Sequence, residues 1–434
     1  MKDNHVKPLA AALLLLTGAP GLAGAAALVQ CPGDTNGDAI VDKAMYKGKS
    51  TANVKCMHIG AGDGFVTMAD DINRLQYMFS FVDLTGVVQE DAIDASILAA
   101  NFPAPTIELD EGKEFYLTLT NYGMLMRPDL ADPHTVHLHG FPNASDIFDG
   151  VPDATVSINM GASLTYYYNL VEPGTYMYHC HVEATEHMAM GMLGNLYVHP
   201  IQDQDGCANN SCPQAQRAGG TDPGAPLGYA YNDNDGSTAF DVEVPIQIGS
   251  WDPEFHDASM NTQPLPFANM KDTYAMLNGR GYPDTADPRT FDFPHTPDSG
   301  ANPVKAGDYP GAASPLSTSQ PVSSRIEATA GERILLRISN LNVTRYYTLT
   351  ALGLPPMKVV GTGARILRGG GLATGKDLYY DTASVTLGGG ESVDAIIDTT
   401  GVAPGTYFLY TTNLNYLSNN DEDFGGMMTE IHIL

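Results

Sequence analysis

The sequence predicts an all-β protein: two similar domains in tandem, preceded by a loop-rich extension. Three observations carry this. Glycine (45) and proline (29) recur across the 434 residues, and no long stretch has the apolar spacing of a helix, which favours many short strands joined by turns. Segments such as "IELDEGKEFYLTLTN" (Ile107–Asn121) alternate apolar and polar residues, as a half-buried strand does. The chain also repeats itself. That segment resembles "IEATAGERILLRISN" (Ile326–Asn340), and "EPGTYMYHCHV" (Glu172–Val182) resembles "APGTYFLYTTN" (Ala403–Asn413). Both members of the second pair leave a Pro-Gly turn and enter a strand at a tyrosine.

The elements follow in order. Residues 1–27 carry lysines at 2 and 7, an apolar run from Leu9 to Leu16 and small residues through Ala27. This is the pattern of a cleaved secretory signal, and the run is too short to span a bilayer. An exported protein, periplasmic or extracellular and without a membrane span, is expected. Residues 28–74 read as an acidic extension. Within it "DTNGDAIVD" sets Asp34, Asn36, Asp38 and Asp42 at the spacing of a calcium loop, but Met45 stands where the twelfth-position acid belongs. A calcium site and a solvated acidic turn are both open readings. Residues 75–200 form the first β-domain. Residues 201–238, rich in Asp, Asn, Gly and Pro, form a linker, and 239–434 the second β-domain.

The formal net charge of −28 excludes nucleic acid and anionic lipid as partners. It suits cations, a basic protein, or solubility alone. Five cysteines are an odd number. Cys207 and Cys212, in "GCANNSC", bracket a loop that a disulfide would close, and Cys31 and Cys56 flank a polar segment and pair likewise. Cys180 is left over. A lone thiol in an oxidising compartment is a liability unless a metal holds it.

Half of the twelve histidines stand in two short places, "HTVHLHG" (His134–Gly140) and "YHCHVEATEHMAMGMLG" (Tyr178–Gly194). On strands, side chains alternate faces. One face then gathers His134 and Cys180, and the other His137, His139, His179 and His181. His187 and Met192 lie where a turn brings them back to Cys180, with Met188 and Met190 as rivals for the thioether place. Two imidazoles, a thiolate and a distant thioether are the donors of an electron-transfer copper site. A zinc site or satisfied core histidines are the bland readings. Six histidines at these spacings around the one unpaired cysteine outweigh them.

At these residues the chain resembles the multicopper oxidases, a family similar to laccases and built from cupredoxin domains, which are Greek-key β-sandwiches. "NFPAPTIELDEG" (Asn101–Gly112), "HTVHLHGFPNAS" (His134–Ser145), "FDGVP" (Phe148–Pro152) and "YHCHVEATEHMAMGMLG" carry the resemblance. "LNGRGYPDT" (Leu277–Thr285) and "GGMM" (Gly425–Met428) carry it in the second domain, so it spans about residues 75–434. The resemblance implies His134, Cys180, His187 and Met192 as type 1 copper ligands. It implies His137, His139, His179 and His181 as ligands of an oxygen-reducing type 2/type 3 cluster, and His179–Cys180–His181 as the catalytic wire between the two.

The second domain departs from the family. The repeat sets Tyr410, Thr411 and Thr412 opposite His179, Cys180 and His181, and "RYYTLTALG" (Arg345–Gly353) has no histidine. Beyond residue 200 only His256, His295 and His432 remain, all isolated in the sequence. Three functions stay open: a laccase-like oxidase, a blue copper electron carrier with a degenerate oxygen site, and an enzyme similar to the copper nitrite reductases. The expected partners are a small reducing substrate, a metal ion or a redox protein such as a cytochrome. A homo-oligomer is expected: a trimer by resemblance, or a twofold contact that brings the histidines of two first domains together.

Overall fold

In the computed structural model two β-sandwiches follow one another, described over residues 28–68, 75–261, 264–289, 291–292, 318–420 and 422–434. The signal-like segment 1–27 and His295 lie outside the described residues. No described helix is long and apolar enough to cross a membrane.

The first sandwich has two four-stranded sheets. One runs in the order Leu75–Asp83, Val54–Thr67, Glu114–Asn121, Ser163–Asn169, and the other Ala104–Asp110, Leu193–His199, Gly174–His179, His137–His139. Alternation makes the strands. In Ser163–Asn169, Tyr166 and Tyr168 are buried while Tyr167 and Asn169 face solvent. Tyr166, Tyr168, Phe79, Phe81, Leu117 and Leu196 join one core between the sheets.

Here the expected boundary at residue 75 needs correction. Val54–Thr67 pairs with Leu75–Asp83 and, in parallel, with Glu114–Asn121. It is a central strand of the first domain, not part of an extension. Its "GAGDG" reads as loop in the sequence. In the structure Gly60, Gly62 and Gly64 share one face of the strand, and neighbouring chain lies directly on it. A Cβ on Gly60 would sit 2.9 Å from Leu84, and one on Gly64 3.3 Å from the Ala100 carbonyl. Residues 28–53, just before the strand, are tied to it by the Cys31–Cys56 disulfide.

The second sandwich sets a seven-stranded sheet, with Val242–Trp251, Arg333–Asn340 and Glu391–Asp398 at its centre, against a five-stranded sheet. The five run Ile326–Ala328, Met428–Ile433, Gly405–Thr411, Tyr347–Leu352, Ser384–Leu387. Residues 201–238 are no free tether. They contain the Cys207–Cys212 disulfide and a buried Asp233, and Arg368 of the second domain grips the Asp233 carbonyl at 2.9 Å.

The seam between the domains is polar and buried. Arg337, fully buried, pairs with Glu243 at 2.5 Å and Asp394 at 3.4 Å, and donates to Thr175 of the first domain at 3.2 Å. His199 reaches Glu243 from the other side at 3.2 Å. Burial would raise the Glu243 carboxyl; Arg337 and His199 more than offset it and hold it well below the usual range. Removing one partner of such a set leaves a buried charge uncompensated. Arg337→Met is therefore expected to destabilise the chain by about 3–5 kcal/mol, read as a lower denaturant midpoint with the two domains' transitions no longer coincident.

Candidate metal centre

The strand Gly174–His179 delivers Cys180 into the core, where the residue is fully buried and its thiol free. His134 is fixed nearby by paired backbone hydrogen bonds with Ile158, at 3.0 and 2.9 Å. The loop after Cys180 holds a short helix, Ala184–Met190, which presents His187. Gly191, at φ 127°, reverses the chain so that Met192 follows directly. Two backbone bonds close the loop: the Cys180 amide donates to the Met192 carbonyl at 3.1 Å, and the Met192 amide to the His187 carbonyl at 2.8 Å.

These anchors bring His134 Nδ1 to 3.8 Å and His187 Nδ1 to 3.2 Å from Cys180 Sγ, with the imidazole centres 5.0 Å apart. Met192 and Met190 are buried in the same cluster as Cys180, whereas Met188 faces the domain seam. Burial pushes the Cys180 thiol up to about 12 and the His187 imidazole down to about 4, and drives His134 well below its ordinary value. A neutral thiol and two neutral imidazoles aimed at one point make poor mutual hydrogen bonds. They fit a soft, two-state metal such as copper.

The opposite face holds the other four histidines. The donor atoms of His137, His139 and His179 lie within 4.8 Å of one another, and the His181 ring lies 5.2 Å from that of His137. Two rings are fixed from behind: His137 Nδ1 lies 2.5 Å from the Asp149 carbonyl and His179 Nδ1 2.8 Å from the Cys180 carbonyl. Each Nδ1–H is thus engaged, which turns His137 Nε2 to a ligand and sets His179 Nε2 3.5 Å from His139 Nδ1, beside the same point. Asp149 belongs to "FDGVP" and was not singled out in the sequence. Gly150 makes its approach feasible, because a Cβ there would lie 2.1 Å from the Val136 carbonyl oxygen. Burial, and then the neighbouring His137 and His181, lower His139, and burial lowers His179 to about 3.

The four rings line an open cleft of about 530 Å³ whose other wall is residues 341–346 and 389–390 of the second domain. A face-to-face contact of two first domains would have to displace this wall.

The second domain repeats the loop without the ligands. The Thr411 amide donates to the Met427 carbonyl at 3.0 Å and the Met427 amide to the Tyr416 carbonyl at 2.8 Å. Tyr347 and Tyr416 have ring centres 4.9 Å apart. Tyr347, Thr411, Tyr416 and Met427 thus occupy the places of His134, Cys180, His187 and Met192. Strand pairing likewise sets Thr350 with Tyr410 as it sets His137 with His179. His256 is not isolated in space. It stacks on Trp251 and lies 2.6 Å from the Tyr77 carbonyl and 3.1 Å from that of Ala189, in the His187 helix.

The calcium reading finds no support. Asp34 accepts backbone N–H groups of residues 36, 37 and 39, Asp42 accepts from Thr35, and the Asn36 amide donates to Asp38 at 2.8 Å. The loop satisfies its own oxygens as an acidic turn.

A description of the multicopper oxidases matches residues 87–203, the stretch that holds all eight residues of both faces. In that stretch the chain is similar to the multicopper oxidase family. It is 38% identical over 80 residues to multicopper oxidase MmcO of Mycobacterium tuberculosis, across 18% of this chain and 14% of that one. The match thus spans about a seventh of the curated relative. Among solved structures it is similar to the blue copper oxidase from Nitrosomonas europaea: TM-score 0.56, 19% identity, 88% of this chain and 86% of that one. It is also similar to the copper nitrite reductase of the same organism: TM-score 0.52, 16% identity, 88% and 94% covered. Both share the two-domain fold.

These protonation states set the pH dependence of metal uptake. The imidazoles are already neutral at pH 7 and the thiol is not ionised, so copper bound at Cys180 displaces one proton, from sulfur. Affinity for Cu(II) is expected to rise about tenfold per pH unit between about pH 6 and 8. Calorimetry in buffers of different ionisation enthalpy should count about one proton released at this site.

Proposed function

We propose that the protein is an exported copper oxidoreductase with two copper sites in its first domain. One is held by His134, Cys180, His187 and Met192, the other by His137, His139, His179 and His181. The observation that carries this reading is the pleat at His179–Cys180–His181, which points the cysteine to one buried set of donors and both histidines to the other. Bound copper supplies one-electron redox chemistry at both places, with Cys180 and its two neighbours as the shortest covalent path between them.

The chain's own residues do the rest. Phe79 packs edge-on at 5.3 Å against His187 and, with the buried core, excludes water from the Cys180 side. The Asp149 and Cys180 carbonyls hold His137 and His179 with Nε2 toward the cleft. The cleft leaves the second site open to a small molecule while the first stays closed. The electron donor is a small reducing substrate, a metal ion or a redox protein, and the acidic surface favours a cation or a basic partner.

The family's eight-histidine oxygen cluster is not the reading favoured here, because the wall facing the four histidines brings none of its own. His137, His139 and His179, whose donors lie within 4.8 Å of one another, with His181 beside them, suit a single copper. An electron carrier with only the Cys180 site is the second reading.

Copper quantification with paramagnetic resonance tests this. Two coppers per chain are expected, one giving an intense blue thiolate band and one not. Cys180→Ser should abolish the blue band and keep the fold. His137→Ala should keep the band, lose the second copper and lower turnover by about 100-fold or more. One copper per chain, with no turnover, would leave the electron-carrier reading.

A further inference from the structure

The cleft over the four histidines has an unusual charge. The chain carries 50 acidic residues against 22 lysines and arginines, yet among the described residues no aspartate or glutamate lines this cleft, and the carboxylate of Asp149, on the histidine side, stands behind His137 at 3.7 Å from Nδ1. Among the described residues that line it, the one lysine or arginine is Arg345, on the wall contributed by the second domain.

Arg345 is held in place. Its Nη1 donates to the Tyr416 hydroxyl at 3.1 Å, and its guanidinium carbon lies 5.6 Å from the centre of the Tyr416 ring. Tyr416 rests in turn on Tyr347, which is fully buried. These two tyrosines fill the places that His187 and His134 take in the first domain, so the emptied cage of the second domain has become the footing of a cation. The rest of the wall is equally fixed. Asn342 donates to Asn340 at 2.6 Å and to the Ile248 carbonyl at 3.2 Å, and the Thr344 hydroxyl donates to Asp272. Asp272, whose charge reaches Arg345, sits behind the wall and is engaged by the Thr344 and Ser250 hydroxyls.

We propose that this cleft admits a small monovalent anion to the four-histidine site, and that Arg345, positioned by Tyr416, is the residue that selects for it. The inference rests on the reading that these histidines hold copper. Acidic walls would repel an anion that a neutral or cationic ligand would not notice. Their absence, with a guanidinium on the facing wall, gives an anion a favourable path through an otherwise acidic surface.

The test uses the copper-loaded full chain and two probes that ligate copper, azide as the anion and imidazole as the neutral control. Both are titrated by absorption and paramagnetic resonance of the second copper. Azide should bind, and more weakly as salt rises. Arg345→Met should weaken azide by about tenfold and leave imidazole binding, copper content and the blue band unchanged. Arg345→Lys should recover most of the azide affinity, and Tyr416→Phe should lose part of it. Equal azide affinity in wild type and Arg345→Met, with two coppers in each, would overturn the proposal and leave the copper reading intact. So would a loss of imidazole binding as large as the loss of azide binding. A chain that loads only one copper would overturn both, and the copper count reports this before any probe is added.

Discussion

The candidate metal centre depends on one backbone hydrogen bond, from the Cys180 amide to the Met192 carbonyl. It fixes where the loop returns, and with it the positions of His187 and both buried methionines. The second domain shows that this bond needs no metal. Thr411 makes the same bond to Met427, and the loop returns to the same place around two tyrosines. The cage is thus a property of the sandwich, and the side chains placed in it decide whether a metal or a packed aromatic pair fills it.

Much of the site was legible in the sequence because the pleat of a strand is strict. Once "YHCH" and "HTVHLH" are strands, period two assigns every histidine to a face, and the structure keeps that assignment. The two disulfides were legible from the short loop between Cys207 and Cys212 and the polar segment between Cys31 and Cys56, which left Cys180 over. What the sequence hid depends on long-range contact. Val54–Thr67 falls in a stretch that reads as loop because its glycines serve neighbours far along the chain, Leu84, Ala100 and Tyr122, not the turn they suggest. Asp149 supports His137 through its carbonyl, which any residue type could supply. The acidic stretch at Asp34 has ligand spacing, but spacing does not reveal that the loop's own N–H groups already use the oxygens.

The wall over the four histidines was also out of reach. The sequence could show that residues 345–353 lack histidine, but not that the segment just before them stands across a cleft from His139. Gly390, where a Cβ would lie 3.1 Å from the His139 ring, marks how near the two domains come. The cleft therefore belongs to neither domain alone.

His256 carries a consequence for the chain as a whole. It belongs to a helix of the second domain, Pro253–Asn261, yet it reaches the carbonyls of Tyr77 and Ala189, one in a first-domain strand and one in the helix that presents His187. Arg127 of the first domain grips the Ser259 carbonyl of that same helix. The ligand loop is thus braced by a domain that carries none of the eight candidate ligands. With copper held as proposed, the colour of the Cys180 centre would report on the integrity of the whole chain, and the first sandwich cut free would keep its donors but lose an outer splint.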